Sequence, residues 1–114
     1  MRTEPTRPPD FIAVIRLDPN EHARFHRNGL HTGFIATHDF HHPAGGVNDG
    51  VHFLIERDTL PVGIWSATRV WLLAPERQAR RFFPGFEFDI LAGAAIVGSG
   101  SIKQVINDLL VKAL

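Results

Sequence analysis

Six of the seven histidines, His22, His26, His31, His38, His41 and His42, fall within a span of 21 residues. Neutral imidazole is a ligand for Zn, Ni and Cu, so a density of this kind raises a transition-metal site first. His22 and His26 would share one face if their segment were helical. His38, His41 and His42 follow in a strand and its exit loop and complete the candidate set. No spacing among them repeats a zinc signature, and the absence of cysteine removes thiolate ligands. The same residues read more readily as solvated loop and strand-edge side chains. A pH-sensitive surface is intermediate, since an unperturbed imidazole titrates near ~6.5.

The second group is cationic. Arg77, Arg80 and Arg81 cluster just ahead of Phe82 and Phe83, and Arg69 precedes them on a strand that also carries Trp71. Guanidinium groups beside exposed aromatic rings suit contact with an acidic protein surface or with RNA. A solvated connection balanced by Glu76 and Glu87 would look the same. Trp71 alternates with Val70 and Leu72, so if those two fill the core it lies outside and needs cover from the tail, another subunit or a partner. Ser66, Ser99 and Ser101 sit in no nucleophile elbow, and His38 beside Asp39 has no nucleophile to serve. The phosphate-cradling Gly-x-x-x-x-Gly-Lys-Ser/Thr loop is absent. The expectation is a protein that is not an enzyme and uses no cofactor.

The 114 residues suffice for one domain with a core and not for two. Formal net charge is zero, so no global field draws in a polyanion, and any nucleic acid would have to be held by a local patch. Thiol catalysis and disulfide frameworks are excluded by the missing cysteines, which fits a cytoplasmic location. No run approaches the ~18 apolar residues of a membrane helix, and the first residues lack the apolar stretch of a cleaved signal. A soluble protein is expected.

The elements that would position these side chains are strands. Phe11 to Leu17 is rich in β-branched and aromatic residues and ends at Asp18-Pro19-Asn20. A second strand is expected from Gly33 to Phe40, with Phe34, Ala36 and His38 on one face and Ile35, Thr37 and Asp39 on the other. The Pro43 to Gly50 run reads as a loop, Val51 to Glu56 as a third strand and Ala67 to Ala74 as a fourth. Phe86, Phe88 and Ile90 alternate with Glu87 and Asp89, turn through Gly93 and Ala94, and return along Ile96, Val97, Gly98 and Gly100. Residues 1–10, with Pro5, Pro8 and Pro9, are expected to be mobile or merely draped. At the other end Asn107 is a plausible N-cap for a short helix over 107–114 that docks Leu110 and Leu114. The expected fold is therefore all-β: a six-stranded antiparallel, Greek-key-like barrel over 11–106, with a flexible leader and a short C-terminal helix or tail.

The closing hairpin from Phe86 to Gly100 resembles that of the C-terminal barrel of elongation factor Tu. Thr68 to Pro75 is similar to the family's apolar strand ending in proline, and Gly85-Phe86-Glu87-Phe88 to its entry into the last hairpin. The first half is looser, with Gly29-Leu30-His31-Thr32-Gly33-Phe34 where the family has a Gly-aromatic-Arg-Pro-Gln-Phe element. The resemblance implies a stand-alone, translation-related binding module without the GTPase. It also implies a loss, because the family's basic corner is replaced around His31 and its charged hairpin positions by Leu91, Ala92 and Ala95. Those positions serve the aminoacyl-tRNA backbone in the family. The expected partner is accordingly a protein, met through Arg69, Trp71, Arg77, Arg80 and Arg81, with tRNA or other RNA bound weakly or not at all. A histidine-based metal-binding protein is the alternative.

Overall fold

Apolar side chains at every second position of Phe11, Ala13, Ile15 and Leu17 can be buried together only if the segment is extended, and all four are fully buried on one face of strand β1. The computed structural model describes residues 2–19 and 28–113. Its strands are β1 (Phe11–Leu17), β2 (Leu30–His31), β3 (Ile35–Asp39), β4 (Asn48–Leu54), β5 (Thr59–Leu60), β6 (Ser66–Leu72), β7 (Glu87–Ala92) and β8 (Ala95–Val105).

Six of them close a barrel in the order β1-β6-β4-β3-β7-β8, every neighbouring pair antiparallel. β3, β4 and β6 lie side by side in chain order and β1 returns beside β6, a Greek-key arrangement. Closure leaves the barrel without an open edge. The short strands β2 and β5 pair separately, an element the sequence did not suggest.

The interior is filled rather than hollow, as expected for so few strands. Phe11, Phe40, Phe82 and Phe88 meet at its centre; Phe11 and Phe82 are edge-to-face at 5.5 Å, and Phe40 lies 5.2 Å from Phe88. Phe88 and Ile90 point in while Glu87 is exposed and Asp89 half-buried, the alternation expected for β7. Across from Phe88 stands Gly100 of β8, where a Cβ would run into the phenyl ring. The glycine thus makes room for an aromatic core residue.

Two expectations are corrected. β4 begins at Asn48, inside the run read as a loop, because Asn48, Asp49 and Gly50 pair with His38, Thr37 and Ala36 of β3. Tertiary pairing overrides the weak strand preference of Asn, Asp and Gly. The tail forms no α-helix. Asn107 does cap, its side chain accepting from the Leu109 amide, but only the 3-10 turn Asp108–Leu110 follows. Val111 is already extended, and the chain runs beside Phe82: the Phe82 amide donates to Leu110 O at 2.7 Å and the Lys112 amide to Phe82 O at 2.8 Å. A helix this short has little intrinsic stability, and pairing with residues 80–82 supplies the backbone partners instead. Leu110 docks as expected and is fully buried; Leu114 lies outside the described residues.

β4 and β6 are apolar on both faces. Val51, Phe53 and Trp71 form a second cluster on the outside of the barrel, and residues 2–10 lie over it. Trp71 Nε1 donates to Arg7 O at 2.8 Å, Arg69 pairs with Glu4 at 2.8 Å, and Arg2 donates to Gly33 O at 2.6 Å. Asp10 anchors this cover. Its fully buried carboxylate accepts from Arg7, from the Leu72 amide at 2.7 Å and from Asn107 Nδ2 at 2.9 Å.

Candidate functional site

The pleat sorts the histidines. His38 on β3 and His52 on β4 both face the interior and are fully buried. His38 Nδ1 lies 2.8 Å from the Asn48 carbonyl, which can only accept, so Nδ1 carries the proton. His38 Nε2 therefore accepts from His52 Nε2–H at 2.7 Å, and His52 Nδ1 accepts from the Thr68 hydroxyl at 3.2 Å. Phe34 stacks on His52 at 4.8 Å and Phe40 on His38 at 5.3 Å. Both rings are satisfied as neutral species. Burial pushes His38 down to about 4, only partly opposed by its bond to Asn48 and by nearby Asp49. His52 is also pushed well down, by burial and by His38. With both ring nitrogens engaged inside the barrel, His38 cannot join ligands outside it. His52 was missed by the sequence reading. The signal was there: it lies on the same face as Leu54, and a β3–β4 hairpin turns it toward His38.

Outside the barrel, β3 and its neighbour β7 carry a different arrangement. Asp39 and Asp89 are direct cross-strand partners on β3 and β7. Two carboxylates facing each other repel, and His41 stands between them. Its Nδ1 is 3.6 Å from Asp39 Oδ1 and its Nε2 3.4 Å from Asp89 Oδ2. The His41 amide also donates to Asp39 Oδ1 at 2.8 Å, with the residue held at φ 56°. One ligand atom from each of the three residues lies within 4.8 Å of the others. An imidazole with two carboxylates is a donor set suited to Zn or Mn. A cleft of about 300 Å³ adjoins it, lined by His41, Asp89, Glu87, Ser99, Ser101 and the half-exposed Trp65. Of the five candidate histidines, the three described ones are separated: His38 is inside, His41 sits with the aspartates, and His42 Nδ1 accepts from the Ala44 amide at 3.0 Å; His22 and His26 lie outside the described residues.

The arginines divide in a similar way. Arg69 is paired with Glu4, and Trp71 is only 3% exposed beneath the N-terminal segment. Trp71 has the outward position expected of it, and the leader supplies the cover. Arg77 lies in the 3-10 turn Pro75–Gln78 and Arg80 is exposed just beyond it. Arg81 is the fixed member. It donates to Gln78 Oε1 and, at 2.9 Å, to Phe40 O, and its guanidinium carbon lies 5.5 Å from the Phe86 ring centroid. Partial burial draws its pKa below the usual guanidinium range. Beside these arginines the tail pairs its backbone with Arg80 and Phe82, and Lys112 Nζ lies 5.1 Å from the Phe83 ring. Phe83, Leu109 and Val111 are all exposed. Arg80, whose amide donates to Leu109 O, and Lys112 thus accompany these exposed apolar residues, with Arg77 and Arg81 on the same connecting segment and Glu76 and Asp108 of opposite sign in the two 3-10 turns. The tail's contribution was not legible while residues 107–114 were read as a helix.

No helix among the described residues is long and apolar enough to cross a membrane. No family model matches the chain, and no curated protein matches it in sequence.

Proposed function

We propose that this protein is a non-enzymatic binding module resembling the C-terminal barrel of elongation factor Tu, cytoplasmic and translation-related, whose partner is an acidic protein surface docking on the edge formed by residues 77–83 and 109–112. The observation that carries this reading is the juxtaposition of Arg77, Arg80, Arg81 and Lys112 with exposed Phe83, Leu109 and Val111. Arginine and aromatic side chains on one edge are the composition enriched where proteins meet. Arg69 and Trp71 leave the footprint, since the leader occupies them. Weak RNA binding follows from Leu91, Ala92 and Ala95 at the hairpin positions that are charged in the family, which remove phosphate contacts.

The test is photo-crosslinking in the native cell from a probe at position 80, with position 103 on β8 as the control. A single protein adduct from position 80 that is missing from position 103 supports the reading. Adducts to tRNA from position 80, or equal yields from both positions, overturn it.

A second reading, metal binding, rests on His41 between Asp39 and Asp89. Saturable binding of Zn²⁺ or Mn²⁺ by tag-free protein, lost in Asp89→Asn, would favour it. No metal binding in that titration would remove it.

A further inference from the structure

A hollow of about 290 Å³ opens between the loop after β3 and the 3-10 turn Pro75–Gln78, lined by His42, Gly45, Gly46, Asn48, Arg77 and Gln78. Its side-chain donors are His42 and Arg77, while the Gly45 amide is already taken by the His42 carbonyl at 2.8 Å. The Ala44 amide donates to His42 Nδ1, so the proton of the neutral ring sits on Nε2 and that edge can only donate. Arg77 makes one long hydrogen bond, from NH1 to Val47 O at 3.4 Å, and among the described residues no carboxylate pairs with it. Arg7, Arg16 and Arg69, by contrast, each face a carboxylate. The two amides at the back do not compete for a ligand, because Gln78 Nε2 donates to Asn48 Oδ1, Asn48 Nδ2 donates to Ala74 O, and Gln78 Oε1 accepts from Arg81. Among the described residues no acidic side chain lines the hollow.

Gly46 lies close to the end of the exposed Arg77 side chain. A Cβ there would meet Arg77 NH2 at 2.9 Å, and the residue sits at φ 94°, which side chains rarely adopt. Gly45 has φ 80°. Two successive glycines in left-handed conformation let the backbone come close to whatever Arg77 holds.

We infer that this hollow is a binding site for an oxyanion, a carboxylate or phosphate group, held by the Arg77 guanidinium and His42 Nε2–H against the Gly45–Gly46 backbone. A planar, permanently charged fork is the group best matched to such a ligand. The inference does not depend on the partner proposed above. A free small anion and an acidic side chain of a protein share this chemistry, and the two sources are separated by the probes.

The experiment is a titration of the full-length protein with inorganic phosphate, with acetate and with a glutamate-rich peptide, followed by amide and side-chain NMR at constant ionic strength. Saturable shifts confined to residues 42–48 and 77–78 are expected, with affinity at least ~10-fold weaker in Arg77→Gln, the loss expected for one charge-assisted hydrogen bond. Gly46→Ala should weaken binding in the same direction, and Arg69→Gln should leave it unchanged. Saturation by phosphate or acetate identifies a small-anion site. Saturation by the peptide alone identifies a protein's carboxylate as the occupant. Shifts that never saturate, or that Arg77→Gln and Arg69→Gln affect equally, overturn the inference.

Discussion

His38 and His41 are three residues apart in one strand and its exit, yet they belong to two different kinds of structure. His38 is sealed in the barrel, both nitrogens committed to Asn48 and His52 and its charge suppressed by burial. His41 lies outside, in the field of two aspartates. The contrast shows that residue type says little until the pleat is known. An inward imidazole is a core residue with two hydrogen bonds to satisfy, and an outward one is available for chemistry. The arginines repeat the lesson, Arg69 being taken up by Glu4 while Arg80 stays exposed.

If the interior is a packed core and the outer edge a binding surface, substitutions should divide accordingly. The largest effect is expected inside. Phe88→Ala removes the ring that packs on Gly100, Phe11 and Phe40, and should destabilise by about 3–5 kcal/mol in a urea titration. A loss below about 1 kcal/mol would mean that the centre of the barrel is not packed as described.

The histidine pair comes next. His52→Phe leaves His38 Nε2 without its donor and should destabilise by about 1–3 kcal/mol. Adding His38→Phe should be less harmful than the sum of the two single changes, because the second substitution removes the unpaired group. Additive losses would show that the two rings do not form one unit.

The pair also sets a pH dependence. Its folded pKa values lie below the unfolded value of 6.5, so below that pH the unfolded chain binds more protons than the folded one. Stability is therefore complete above about 6.5 and falls with falling pH, for His38 down to about 4, at a slope approaching ~1.4 kcal/mol per pH unit for each histidine. Comparing wild type with the double His38→Phe/His52→Phe variant between pH 7 and 4.5 isolates this contribution from that of the carboxylates. Parallel curves would refute it.

How far these regions could be read in advance follows from how local their causes are. The Phe88/Ile90 register was legible because alternation is a property of neighbouring residues, and β1 was legible as a strand from its β-branched and aromatic composition. Asp39 was placed on the face opposite His38 and Asp89 on the face opposite Phe88, but that the two aspartates oppose each other depends on β3 pairing with β7 across about fifty intervening residues, which no local pattern encodes. Asn48 to Gly50 carries every loop signal and still enters β4, because β3 supplies its partners. The tail has a capping asparagine and still turns extended at Val111, because Phe82 offers backbone hydrogen bonds that a lone helical turn lacks. The apolar strip of the proposed docking edge depends on that last pairing.

The smallest effect on stability is expected at the edge itself, where Arg80→Glu should change the unfolding free energy by no more than about 0.5 kcal/mol. The same substitution bears most directly on the central claim, that this edge and not the histidine-rich side meets the partner. The measurement is the size of the native-cell complex containing the protein, by gel filtration, for wild type, Arg80→Glu and His41→Ala, each checked for an unchanged thermal midpoint. The account predicts that the complex is lost in Arg80→Glu alone. A complex that survives Arg80→Glu and dissolves in His41→Ala would contradict it.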